Sequence, residues 1–103
     1  MMVDLELNEL KREFLEEARE KVSEMQAAIE RATDESLERL TYLAHQLKGS
    51  GGSYGYERIS TDAAALETAL EKLSGNGSDA DPRIQQYVVN LRAEIERCAR
   101  ELV

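Results

Sequence analysis

The chain has 103 residues and a mass of 11.6 kDa, a size at which residues 1–103 are expected to form a single domain. Thirteen Lys and Arg against 21 Asp and Glu leave a formal charge of −8, which argues against nucleic acid or an anionic membrane as partner, because phosphate groups repel such a surface. The longest apolar run, Ala63–Leu66, is far short of the roughly 20 residues of a membrane span.

The first fifteen residues carry too many charges for a signal-peptide core. The lone Cys98 fits a reducing compartment. A cytoplasmic location is therefore expected. Ala, Leu, Glu, Gln, Lys and Arg supply more than half of the chain, while Val, Ile and Thr are few, so the expected fold class is all-α.

Four apolar stripes follow one another, each with a spacing of three or four residues. The first is Leu7, Leu10, Phe14, Ala18, Val22, Met25, Ile29 and Ala32. Ala32-Thr33-Asp34 then offers capping side chains. The second stripe is Leu37, Leu40, Leu43 with Ala44, and Leu47, and it runs into the glycine-rich stretch 49–55. The third is Tyr56, Ile59, Ala63, Leu66, Leu70 and Leu73, with Gly75 just past it as a C-cap inside a flexible loop over 74–78. Asp81-Pro82 supplies an N-cap and first-turn pair for the fourth, Ile84, Tyr87 with Val88, Leu91, Ile95, Cys98 and Leu102. No such helix buries its stripe alone, so an antiparallel four-helix bundle is predicted. Cys98 reads as a small buried hydrophobe, and the four tyrosines as packing or flank residues.

His45 is the only histidine. At about 100° per residue it falls about 140° from the centre of the second stripe, on the solvent side of its helix. Gly49 and Gly52 follow on that same face. A helical glycine costs up to about 1 kcal/mol against alanine, so this run suggests a backbone that something must approach closely. Lys48 places a cation one turn from the imidazole. In an antiparallel hairpin turning near residues 53–57, Glu67 of the third helix comes level with His45 within a turn. A carboxylate there fixes one ring nitrogen and makes the other more nucleophilic. Such a set suits attack on a phosphoryl group, with Lys48 offsetting charge on its oxygens. The plainer alternatives are a surface histidine, a solvated lysine, a surface glutamate and a frayed helix end.

His45-Gln46-Leu47-Lys48-Gly49, followed by small residues and by Gly55 ten positions after the histidine, resembles the signature of histidine phosphotransfer (Hpt) domains. Ala65-Leu66-Glu67 is similar to the family's second helical motif. The resemblance implies a phosphotransfer protein of a two-component phosphorelay, with the phosphoacceptor His45 exposed on the second helix of a four-helix bundle. His45 would take a phosphoryl group from a receiver aspartyl phosphate and pass it to another receiver, assisted by Lys48 and Glu67. Gly49, Gly52 and Thr41 would contact the receiver. The implied partners are response-regulator receiver domains, a (hybrid) histidine kinase, or both, with the chain a monomer. Residues 52–56 are also similar to the phosphoryl-accepting domain of chemotaxis-type histidine kinases, which implies as an alternative that the chain is such a domain of a larger kinase, phosphorylated by that protein's own kinase domain.

The sequence has no Gly-x-x-x-x-Gly-Lys-Ser/Thr loop or kinase-like ATP lid, so a phosphoryl carrier without kinase activity of its own, and without a cofactor, is expected. One histidine and one cysteine are too few for a soft metal site. Ser50 and Ser53 lack an oriented triad. The remaining competitor is a passive helical interaction module, for which His45→Gln would leave function intact.

Overall fold

The structure is a computed structural model that describes residues 4–76 and 82–102. It contains α1 (Asp4–Arg31), α2 (Asp34–Ser53), α3 (Glu57–Asn76) and α4 (Pro82–Glu101), and no strand among the described residues. The loop beyond Asn76, the cap assigned to Asp81 and the side chain of Leu73 lie outside the description. Each helix packs on two neighbours, α1 on α2 and α4, and α3 on α2 and α4. The helices thus form a ring, with α1–α3 and α2–α4 on its diagonals.

The ring is antiparallel, and contacts between its helices set the register. Arg39 of α2 pairs with Glu24 of α1. Arg19 of α1 pairs with Glu96 of α4, and one turn further along Arg92 of α4 donates to Gln26 Oε1 of α1 at 2.7 Å. The result is a rod of 50 × 19 × 19 Å. No helix among the described residues is long and apolar enough to cross a membrane.

The stripes meet along the axis. Phe14, Val22, Met25, Leu40, Leu43, Leu47, Ile59, Leu66, Leu91 and Ile95 are all buried. Cys98 is buried with them; burial and the neighbouring Glu94 push its thiol up to about 11, which keeps it protonated and inert near neutrality. Thr33 caps α2 in a capping box with Ser36: Thr33 Oγ1 accepts from Ser36 N at 3.0 Å and Ser36 Oγ from Thr33 N at 2.9 Å.

Three expectations are corrected and one plainer alternative is removed. Leu7 and Leu10 are exposed, at 38% and 39%, because α1 has 28 residues against 20 in α2 and α4. Phe14 already stacks on Tyr54 and Tyr56 at the α2–α3 turn, with ring centroids 4.9 and 5.9 Å away, so the turns of α1 ahead of it have no helix to pack on. Ala32 is exposed in the α1–α2 turn, in the left-handed region at φ 51°. Ser74, Gly75 and Asn76, expected to cap α3 and open the loop, lie inside α3, which continues to Asn76. The glycine-rich stretch is not a frayed end, since α2 runs through Gly49, Gly51 and Gly52 to Ser53.

Candidate functional site

The α2–α3 turn is compact because of its hydrogen bonds. Gly55 takes φ +83°, which favours glycine. Its N–H donates to Gly52 O at 3.1 Å, and Tyr56 N–H to Gly51 O at 2.8 Å, the paired bonds of a Schellman closure. The two helices then run back along each other at close range. A Cβ on Gly51 would meet Ser60 N at 3.1 Å and Ile59 Cγ2 at 3.2 Å, so glycine there lets α3 approach α2. Ser60 Oγ adds a bond between the helices, donating to Lys48 O at 2.8 Å.

This packing brings together His45, Lys48 and Glu67. His45 Nδ1 lies 2.8 Å from Glu67 Oε2, and Lys48 Nζ donates to Glu67 Oε1 at 3.3 Å. The imidazole side chain is 66% exposed, the lysine 47% and the glutamate only 14%. Burial alone would raise the Glu67 pKa, but hydrogen bonds from His45 and Lys48 outweigh it and hold the carboxyl below its ordinary value. Glu67 is therefore ionised at neutral pH and can only accept. In the neutral ring the hydrogen is thus assigned to Nδ1 by its partner, which leaves the lone pair on Nε2. The arrangement is an oriented, accessible nitrogen nucleophile with a cation beside it.

The other residues singled out in the sequence lie around this group without joining it. Gly49, exposed, has nothing within 4 Å of where a Cβ would be, and at Gly52 the nearest atom is Ser60 Oγ at 3.7 Å. Neither glycine is required by packing within the chain. Thr41 is half-buried, and its hydroxyl donates to Leu37 O of its own helix at 2.9 Å.

Two features were not anticipated. Ser60 carries no sequence signal beyond lying seven residues, or two turns, before Glu67. Tyr42, one turn before His45, is 51% exposed; Gln46 Nε2 donates to its hydroxyl at 2.9 Å and Arg39 lies over its ring at 5.3 Å. Its position three residues before His45 was the available signal. Among the described residues no group of three His, Cys, Asp or Glu could hold a metal ion.

Comparisons with curated proteins and with solved structures return no match. The family model described as Hpt domain matches residues 9–101, nearly the whole chain, and takes in α2, α3, α4, α1 from Glu9 onward, and the His45–Glu67–Lys48 group. The chain belongs to the Hpt domain family.

Proposed function

We propose that His45 is the phosphoryl-accepting residue of a phosphorelay, that Lys48 and Glu67 assist it, and that its immediate partners are receiver domains. Nε2 attacks the phosphorus of a receiver's aspartyl phosphate. The N–P bond forms as the acyl P–O bond breaks, and the aspartate departs as a carboxylate. Nδ1 keeps its hydrogen, so the ring becomes cationic as Nε2 is phosphorylated, and the ionised Glu67 stabilises that charge. The Lys48 ammonium, already beside the ring, is close enough to turn toward the phosphoryl oxygens. The reverse reaction delivers the group to a second receiver. Gly49 and Gly52 leave the backbone next to His45 bare for a partner's active site to close over, and Thr41 lies on the rim of that contact.

The supporting observation is the 2.8 Å contact of Glu67 with one nitrogen of a ring that is two-thirds exposed. An open ring oriented by a nearly buried carboxylate suits a nitrogen that must be reached from outside. The test is incubation with receiver domains charged by acetyl phosphate, followed by assay for acid-labile, base-stable phosphate on this chain. Label on the wild type and none on His45→Gln is expected. If receivers give no label but a chemotaxis-type kinase core and ATP do, the donor is a kinase. If every donor fails, the passive-module reading is favoured.

A further inference from the structure

We infer that Ser60 is a positioning residue for His45, acting through Lys48 and Glu67. Its contact is unusual for a helical serine, whose hydroxyl ordinarily bonds back to a carbonyl three or four residues earlier in its own helix. Here the hydroxyl crosses to α2 and donates to Lys48 O at 2.8 Å. It does so beside a close approach of the two helices, where a Cβ on Gly51 would meet Ser60 N at 3.1 Å. Lys48 is consequently held to α3 at both ends, its carbonyl by Ser60 and its ammonium by Glu67.

Ser60 and Glu67 are seven residues apart, which places them within about 20° of one another on α3 and about 10 Å apart along it. A displacement of α3 along α2 at Ser60 is therefore carried to Glu67. The Glu67–Nδ1 contact of 2.8 Å sits in a hydrogen-bonding window of about 2.7–3.2 Å, so a shift of about half an ångström takes it out of range. Ser60 thus sets the register that selects the Nδ1–H tautomer and leaves Nε2 free. Only the consequence for transfer rate rests on the phosphorelay reading; the tautomer is a property of the chain alone.

The test is imidazole 1H–15N correlation spectroscopy on the chain labelled at histidine, with the ring neutral. The wild type should show a single Nδ1–H tautomer. Ser60→Ala should shift both ring nitrogens toward the averaged values of a free imidazole, and Ser60→Thr, which keeps the hydroxyl, should restore them. Gly51→Ala, which forces Ser60 N outward, should reproduce the Ser60→Ala spectrum. Where receivers label the wild type, Ser60→Ala should slow transfer by about threefold to tenfold with receiver affinity unchanged. A wild-type ring without a fixed tautomer overturns the inference, as does a Ser60→Ala spectrum identical to the wild type. A locked wild-type tautomer that Ser60→Ala releases, in a chain no donor phosphorylates, upholds the role of Ser60 and removes the phosphorelay reading.

Discussion

Glu67 and Glu94 are the same residue, both nearly buried, with side chains 14% and 9% exposed, and both are held below their ordinary pKa. Their partners differ. Glu94 is gripped by Arg97, one turn on in its own helix, with Arg58 of α3 3.9 Å away, and Arg97 continues to Glu101 at 2.6 Å. These guanidiniums stay charged throughout the accessible pH range, so the cluster serves to fasten α4 and to tie it to α3. Glu67 instead crosses from α3 to α2 and meets an imidazole, a group with a second nitrogen left to react. Burial of a carboxylate does not distinguish a staple from a site; the chemistry of what it holds does.

The largest effect expected from this contrast is on transfer. Glu67→Gln keeps the shape but removes the charge that selects the tautomer, and should slow phosphoryl transfer by about 10- to 100-fold, with a small change in stability. An unchanged rate in a receiver-transfer assay would reduce Glu67 to a second staple. Glu94→Gln should do the reverse, lowering stability to urea by about 1–2 kcal/mol while transfer stays within about twofold. The loss is smaller than for a wholly buried pair because Arg97 is 46% exposed.

Acid should reveal both carboxylates. Each has a folded-state pKa below its ordinary value of 4.5, so each contributes stability that is complete above about pH 5 and lost as pH falls through the folded value. Asp62, raised by burial, opposes this, because protonation relieves its penalty. A melting temperature that falls below about pH 4.5, with a shallower fall in each glutamine variant, is the expected calorimetric result. The smallest effect belongs to the overhang of α1. Leu7→Ala should change stability by under about 0.5 kcal/mol, whereas Leu43→Ala in the core should cost about 2–5 kcal/mol. Comparable losses would mean that Leu7 is covered in solution.

Much of the fold was legible from spacing. An apolar residue every third or fourth position defines a helix face whatever lies across from it, which is why Leu40, Leu43, Leu47, Ile59, Leu66, Leu91 and Ile95 were all foreseen in the core. The same rule misplaced Leu7 and Leu10, since periodicity does not reveal where the neighbouring helices stop. It also passed over Glu94, a charge buried by its ion pairs rather than by its polarity.

At the candidate site, the sequence by itself determined which groups are available. His45 lies off the apolar face, Lys48 is one turn away, and Glu67 comes level with them once the hairpin closes. Only the tertiary structure decided how they are joined. Lys48 is held by Glu67 rather than standing free, Nδ1 is the bonded nitrogen, and Gly51, not Gly49 or Gly52, is the glycine that packing demands. The physical reason is range. Helix faces follow from neighbours three and four residues apart, whereas a hydrogen bond between helices depends on axial register to a few tenths of an ångström. We infer that this register is set at the close contact of Gly51 with Ser60 and the Ser60–Lys48 hydrogen bond.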